Sequence, residues 1–262
     1  MFKLWQAKTE TETAPDDVTS IGACVVYAIG DIHGRIDLLR VLLQRIREDM
    51  ATRSLLESPL LIFLGDYVDR GPASRAVIEQ VMALRATHTV VTLRGNHEDT
   101  LLRFLDDPSI GPTWMEQGGA QTLLSYGVTP PPRGEADLWM EARDRLAEAL
   151  PPSHLAFLEG LEHYALIGDY VFAHAGVRPG IPVDQQTTQD LMWIRRPFLA
   201  VDKAIDRVVV HGHTPTEEPH MGHWRIGVDT GAYATGVLTA VRLSGTDRAF
   251  VSTRAVPRPS GQ

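Results

Sequence analysis

Five times along the chain a short apolar run stops at a glycine that sits beside an Asp, Asn or His. Val25–Ile29 runs into Gly30-Asp31-Ile32-His33-Gly34, and Leu60–Leu64 into Gly65-Asp66-Tyr67-Val68-Asp69-Arg70-Gly71. Val90–Leu93 leads to Arg94-Gly95-Asn96-His97-Glu98, Tyr170–Ala173 to His174-Ala175-Gly176, and Val208–Val210 to His211-Gly212-His213-Thr214. Short runs rich in Val, Ile and Leu read as buried strands. Each then delivers polar residues at a strand end, where ligands and catalytic groups collect in open α/β sheets. Oxygen and nitrogen donors arriving from five strand ends describe a metal centre assembled by the whole fold.

Between the strands the pattern turns helical. Leu38, Leu39, Leu42, Leu43 and Ile46 recur at helical spacing, as do Val77, Ile78, Val81 and Leu84. Residues 107–161 carry Gly118-Gly119, Pro130-Pro131-Pro132 and Pro151-Pro152 around a charged helix from Glu135 to Leu150, and read as an inserted helical cap beside the site. Strands are expected again at His223–Val228, Val237–Leu243 and Arg248–Ser252. Residues 1–20 are polar and read as a flexible arm, 21–253 as the catalytic domain, and 254–262 as a loose tail.

Composition narrows the function. A net charge of -8 over 262 residues argues against a general nucleic-acid or membrane-surface binder. It leaves open a phosphorylated substrate held through metal ions, which supply the local positive charge. The single cysteine, Cys24, starts an apolar strand and reads as a small core residue. Met1 to Ser20 lacks the apolar core of a signal peptide, and no stretch is long enough to span a bilayer, so a cytoplasmic protein is expected.

A binuclear hydrolytic centre holds its ions roughly 3.5–4 Å apart and needs a carboxylate between them. Asp66, in a glycine-bounded loop after the most apolar run, is the natural bridge. Asp31 and His33 are two residues apart, so an extended backbone would aim both at one ion. Asn96, His174 and His213 each end another strand and can complete the second. Imidazole and hard oxygen without thiolate suit Mn, Fe or Zn in a catalytic role. Two carboxylates against two divalent ions leave about two positive charges, enough to attract a phosphate and to acidify a bridging water. His211 lies within its strand and reads as a core histidine.

Together these blocks resemble the PPP-type metallophosphatases of the calcineurin-like metallophosphoesterase superfamily, the protein phosphatase of bacteriophage lambda among them. The resemblance extends through Asp229-Thr230-Gly231-Ala232 and, more weakly, Trp114 with Gly118-Gly119 and Trp193-Ile194-Arg195. It implies an α/β fold with a central β-sandwich flanked by helices. It also implies one divalent ion on Asp31, His33 and Asp66, and another on Asp66, Asn96, His174 and His213. The activity implied is in-line attack on phosphorus by a metal-activated hydroxide. His97 would protonate the leaving group, oriented by Asp69. Arg70 and Arg195 would grip phosphate oxygens, since a guanidinium fork matches them. Glu98 heads a helix and is expected to serve its dipole or back the ligands; Arg94 reads as structural, as a brace for a site carboxylate.

The substrate expected first is phosphoserine or phosphothreonine in proteins, with phosphotyrosine also open. The alternative is a dinucleoside polyphosphate, as in the symmetrical diadenosine tetraphosphatases of this scaffold. A nuclease of the wider superfamily fits less well, because those end in Gly-His-x-His while His213 precedes Thr214-Pro215. A metal-binding adaptor with a dead site fits least, since every catalytic position is filled.

Overall fold

The first three apolar runs form β1 (Val25–Ile29), β2 (Leu60–Phe63) and β3 (Thr89–Thr92). The later ones belong to β4 (Tyr164–Ile167), β5 (Tyr170–Ala173), β6 (Val208–His211), β7 (His220–Met221) and β8 (Arg225–Gly227). The chain closes with β9 (Thr239–Ser244) and β10 (Asp247–Ser252). This computed structural model describes residues 19–53, 58–132 and 136–254; the expected arm before Thr19 and the tail after Arg254 lie outside them. One five-stranded sheet has the order β10-β9-β1-β2-β3, the other β4-β5-β6-β8-β7. β1 runs parallel to β2 and β2 to β3, while β9 is antiparallel to β1. In the second sheet β5, β6 and β8 are parallel, with antiparallel β4 and β7 at its edges.

The period of two along the strands decides the layers. Val26, Ala28, Ile62 and Val241 of the first sheet share one buried cluster with Tyr170, Phe172, Val208, Val210 and Ile226 of the second. The intervening residues Tyr27, Ile29, Leu61 and Phe63 face outward onto α1 (Ile36–Thr52) and α2 (Ser74–Arg85). The helical spacing of the sequence is met there: Leu39, Leu42, Leu43 and Ile46 of α1 are buried, as are Val77, Ile78, Val81 and Leu84 of α2.

After α3 (Asn96–Asp106), residues 107–161 supply α4 (Gly111–Glu116), α5 (Gly119–Ser125), α6 (Ala136–Ala149) and α7 (Pro152–Glu159). Their Trp114, Leu123, Trp139, Leu146 and Phe157 join the same cluster as α1 and α2, extending the outer helical layer. On the far side, Val171, Ala173 and Val209 pack with Leu191, Ile194 and Phe198 around α8 (Thr188–Trp193) and α9 (Arg196–Leu199). The last helix, α10 (Ala232–Thr235), lies before β9. The result is two mixed sheets face to face, each backed by helices.

One expected strand is shortened and gains a partner. Of His223–Val228 only Arg225–Gly227 is β8, and an unexpected β7 precedes it, the two joined by a turn closed by the Gly222 N–H donating to Arg225 O at 2.8 Å. No described helix is long and apolar enough to cross a membrane.

Candidate metal centre

The polar residues after β1, β2, β3, β5 and β6 meet at one end of the sandwich. Asp31, His33, Asp66, Asn96, His97, His174 and His213 are all at most 5% exposed. The backbone pays for that convergence locally. Among the described residues, the non-glycine positions with positive φ are His33 (46°), Asp66 (53°), Asp69 (70°), Arg70 (67°) and His213 (65°). Such conformations are disfavoured by about 1–3 kcal/mol each, and strain of this kind gathers at functional sites. The extended geometry expected for Asp31 and His33 is therefore wrong: the left-handed turn at His33 sends the two side chains to different partners. Close approach also needs glycine, because a Cβ on Gly95 would lie 2.1 Å from Asp66 Oδ1.

Two groups of potential ligands share Asp66: His33, Asp66 and His97 on one side, Asp66, His174 and His213 on the other. On the second side, His174 Nε2 lies 3.0 Å from Asn96 Oδ1, 3.2 Å from His213 Nδ1 and 3.4 Å from Asp66 Oδ1. Asn96 Oδ1 is 2.9 Å from His213 Nδ1. Donor atoms about 2.1 Å from one ion, at tetrahedral to octahedral angles, lie about 3.0–3.4 Å apart. The four atoms thus have the spacing of a coordination shell. On the first side, Asp66 Oδ2 is 3.4 Å from His33 Nε2 and 3.8 Å from His97 Nε2.

Hydrogen bonds behind the rings fix which nitrogen faces inward. His33 Nδ1–H donates to Val68 O at 2.8 Å and His174 Nδ1–H to Leu64 O at 3.0 Å, since a carbonyl only accepts. Both Nε2 atoms are therefore unprotonated and turned inward, that of His33 toward Arg70 and Asp66 and that of His174 toward Asn96, His213 and Asp66, the arrangement that orients histidine for a metal. The Nε2 of His213 is buried with no hydrogen-bond partner among the described residues, so its polar contacts run through the inward Nδ1. Unprotonated nitrogens and acceptor oxygens facing one another repel unless a cation lies between them. The donor set fits divalent ions.

Asp31 belongs to neither three-residue group. Its carboxylate accepts the His213 N–H at 3.0 and 3.2 Å and lies beside the Asp229 carboxyl. Burial, Asp229 and Asp66 together push Asp31 above the usual carboxylate range, and burial takes Asp229 up to about 6. Burial lowers His33 to about 3 and, with His174 adding to it, His213 to about 2, so both rings are neutral. Asp66 behaves oppositely. Burial opposes its charge, but His174, His97, His33 and His213 hold it below its ordinary value.

His97 Nδ1 lies 2.7 Å from Asp69 Oδ2, and burial of the ring is outweighed by Asp66 and Asp69, which raise its pKa. Asp69 is itself fixed: Trp114 Nε1–H donates to Oδ2 at 2.9 Å and Thr122 Oγ1–H to Oδ1 at 2.6 Å. Arg70 reaches His33 Nε2 at 2.9 Å and His97 Nε2 at 3.1 Å. Arg195 is exposed and acts electrostatically on His174 and His213.

Glu98 does more than serve a helix dipole. Its carboxylate accepts the N–H groups of Asp66 (2.8 Å), Tyr67 (2.8 Å), Val68 (3.2 Å) and Gly95 (3.0 Å), tying the ligand loop to α3. Burial and Asp66 raise its pKa to about 7. Arg94 is structural as expected, though its partners are the carbonyls of Leu158 and Glu159 at 3.1 and 2.8 Å, a link to α7 and not to a site carboxylate. His211 is a core residue as expected, buried edge-on to Phe198 with ring centroids 5.0 Å apart. The residues the sequence reading did not assign are Thr122, Asp229 and Tyr233. Asp229 had a signal, since it too follows an apolar pair at a strand end; Thr122 had none, being one polar residue on an ordinary helix.

Fold and site define a metal-dependent phosphoester hydrolase built around a shared carboxylate. The chain belongs to the calcineurin-like phosphoesterases, whose family model matches residues 25–234. It is 27% identical over 235 residues to the asymmetrical bis(5′-nucleosyl)-tetraphosphatase PrpE of Anoxybacillus flavithermus, covering 82% of this chain and 88% of that one. A crystal structure of a candidate diadenosine tetraphosphatase superposes with a TM-score of 0.61 at 22% identity, over 91% of this chain and 96% of the other. A cold-active protein tyrosine phosphatase variant superposes at 0.54 with 16% identity, over 88% and 81%. At those identities the two structures speak for the fold. The superfamily expected from the motifs is right. The PPP protein-phosphatase branch is not the one named: curated relatives such as those of Anoxybacillus flavithermus and Bacillus subtilis are called bis(5′-nucleosyl)-tetraphosphatases.

Proposed function

We propose that this chain hydrolyses dinucleoside tetraphosphates, cutting one phosphoanhydride bond to release a nucleoside triphosphate and a nucleoside monophosphate. The observation that carries the chemistry is Asp66, whose two oxygens lie 3.4 Å from His33 Nε2 and 3.4 Å from His174 Nε2. The names of the curated relatives support the substrate class and the asymmetrical cut, in place of the phosphoprotein or symmetrical cleavage the motifs suggested.

In this reading Asp66 would serve two divalent ions; His33 would hold one with it, joined by Asp31 as the family resemblance implies, and Asn96, His174 and His213 would hold the other. Ions held there would supply Lewis acidity toward phosphate and an activated water. Arg70 and Arg195 bind non-bridging oxygens of a chain too anionic for a protein of net charge -8 to attract without local cations. His97, oriented by Asp69, gives a proton or hydrogen bond to the departing oxygen.

The test is product analysis with metal-loaded protein on diadenosine tetraphosphate. ATP and AMP in equal amounts are expected. Two ADP would reverse the asymmetry, and cleavage of phosphoserine peptides at a higher kcat/KM would restore the phosphoprotein reading.

A further inference from the structure

Tyr233 is out of keeping with its surroundings. The groups around Asp66 are buried, yet Tyr233 is 42% exposed and, among the described residues, the one aromatic of the exposed large apolar side chains. It is no loose appendage. It sits on α10, between Gly231 and Gly236 in left-handed conformations. That helix is pinned by buried Ala232, whose carbonyl accepts from Arg35 Nη1 at 3.1 Å, and by Thr235 Oγ1–H donating to Thr230 O at 2.8 Å.

The ring meets the site on two sides. Arg70 Cζ lies 4.7 Å from its centroid, a cation–π contact. Its edge-to-face partner is His33, with centroids 5.6 Å apart and planes at 86°. Tyr233 therefore borders both a candidate phosphate-binding arginine and a candidate metal ligand, with two-fifths of its surface left to solvent. A nucleotide whose phosphate is gripped by Arg70 carries its base one sugar away, and the aromatic surface at that margin is this ring.

We infer that Tyr233 is a stacking platform for a nucleobase, the one attached to the phosphate bound at Arg70. The inference rests on the nucleotide reading above and adds a recognition site for the base, separate from the groups that act on phosphorus. Base–aromatic stacking is tolerant of sequence because every base has a π-face, so the platform would favour nucleotides over base-free phosphates without selecting one base strongly.

Calorimetric titration of the metal-loaded full chain tests it with AMP and ribose 5-phosphate, which differ by the base. The native chain binds AMP more tightly, and Tyr233→Ala reduces the affinity ratio by roughly tenfold, the order that one stacked base contributes. Tyr233→Trp keeps the ratio or raises it, which separates lost stacking from a disturbed fold. A ratio near one in the native chain, or a Tyr233→Ala variant that weakens both ligands by the same factor, overturns the inference and leaves Tyr233 as support for Arg70. A native chain that prefers AMP yet leaves diadenosine tetraphosphate uncut upholds the platform and refutes the substrate reading alone.

Discussion

Replacing Thr122 by valine removes a single hydroxyl at nearly constant volume, and the geometry around it fixes what should follow. Thr122 is fully buried; its Oγ1 donates to Asp69 Oδ1 at 2.6 Å and accepts the Asp69 N–H at 2.8 Å. In the variant the Asp69 N–H keeps Ser74 Oγ, at 3.1 Å. The carboxylate is less fortunate. Its remaining donors, Trp114 Nε1 at 2.9 Å and His97 Nδ1 at 2.7 Å, both serve Oδ2, so Oδ1 is left bare. A hydrogen bond to a charged group contributes about 1.5–3 kcal/mol. A methyl cannot approach an oxygen as closely as 2.6 Å, so Asp69 must also shift, and His97 with it. The expected loss is about 2–3 kcal/mol, or roughly 5–10 °C in Tm for a chain of this size. A displaced His97 should lower kcat by between about tenfold and 10²-fold. Thr122→Ser is the control: it keeps the hydroxyl and deletes one methyl, at about 0.5–1.5 kcal/mol with kcat nearly intact. Urea melts compared by midpoint at constant slope, with kcat measured in parallel, read both quantities. Valine within 0.5 kcal/mol of the native chain at full kcat would refute the reasoning, and so would serine proving as damaging as valine (both thresholds being about the size of a neutral surface change).

Further outcomes follow from the centre itself. Asp66→Asn should lower the content of both ions, measured by elemental analysis after dialysis, whereas Asn96→Ala should lower mainly one; chelation should abolish turnover, with Mn expected to restore it best. Arg70→Lys should fall more than tenfold in turnover, or about 1.4 kcal/mol, because an ammonium cannot reproduce the fork that spans His33 Nε2 and His97 Nε2. Native kinetics for the lysine variant would remove Arg70 from contact with phosphate.

The residues of the site were legible in the sequence because their signal is local. A strand read from a few β-branched residues must end, and a glycine beside Asp, Asn or His marks the end together with its cargo. The outer helices were legible for the same reason, Leu39 to Ile46 and Val77 to Leu84 repeating at the helical period. The edges of the second sheet were not: β4 is half-exposed on a sheet margin and carries no alternation of its own, and β7 is two residues long. Nor did the sequence disclose how the cargo is aimed. That Asp31 turns to the His213 backbone, that Glu98 gathers four N–H groups, and that Thr122 and Trp114 hold Asp69 all depend on segments far apart in the chain. Hydrogen bonds of that kind leave no periodicity, since each partner is a single residue whose neighbours are free to vary. Spacing along the chain thus determined which residues could gather at the strand ends, whereas packing of two sheets and an outer helical layer decided where each atom points.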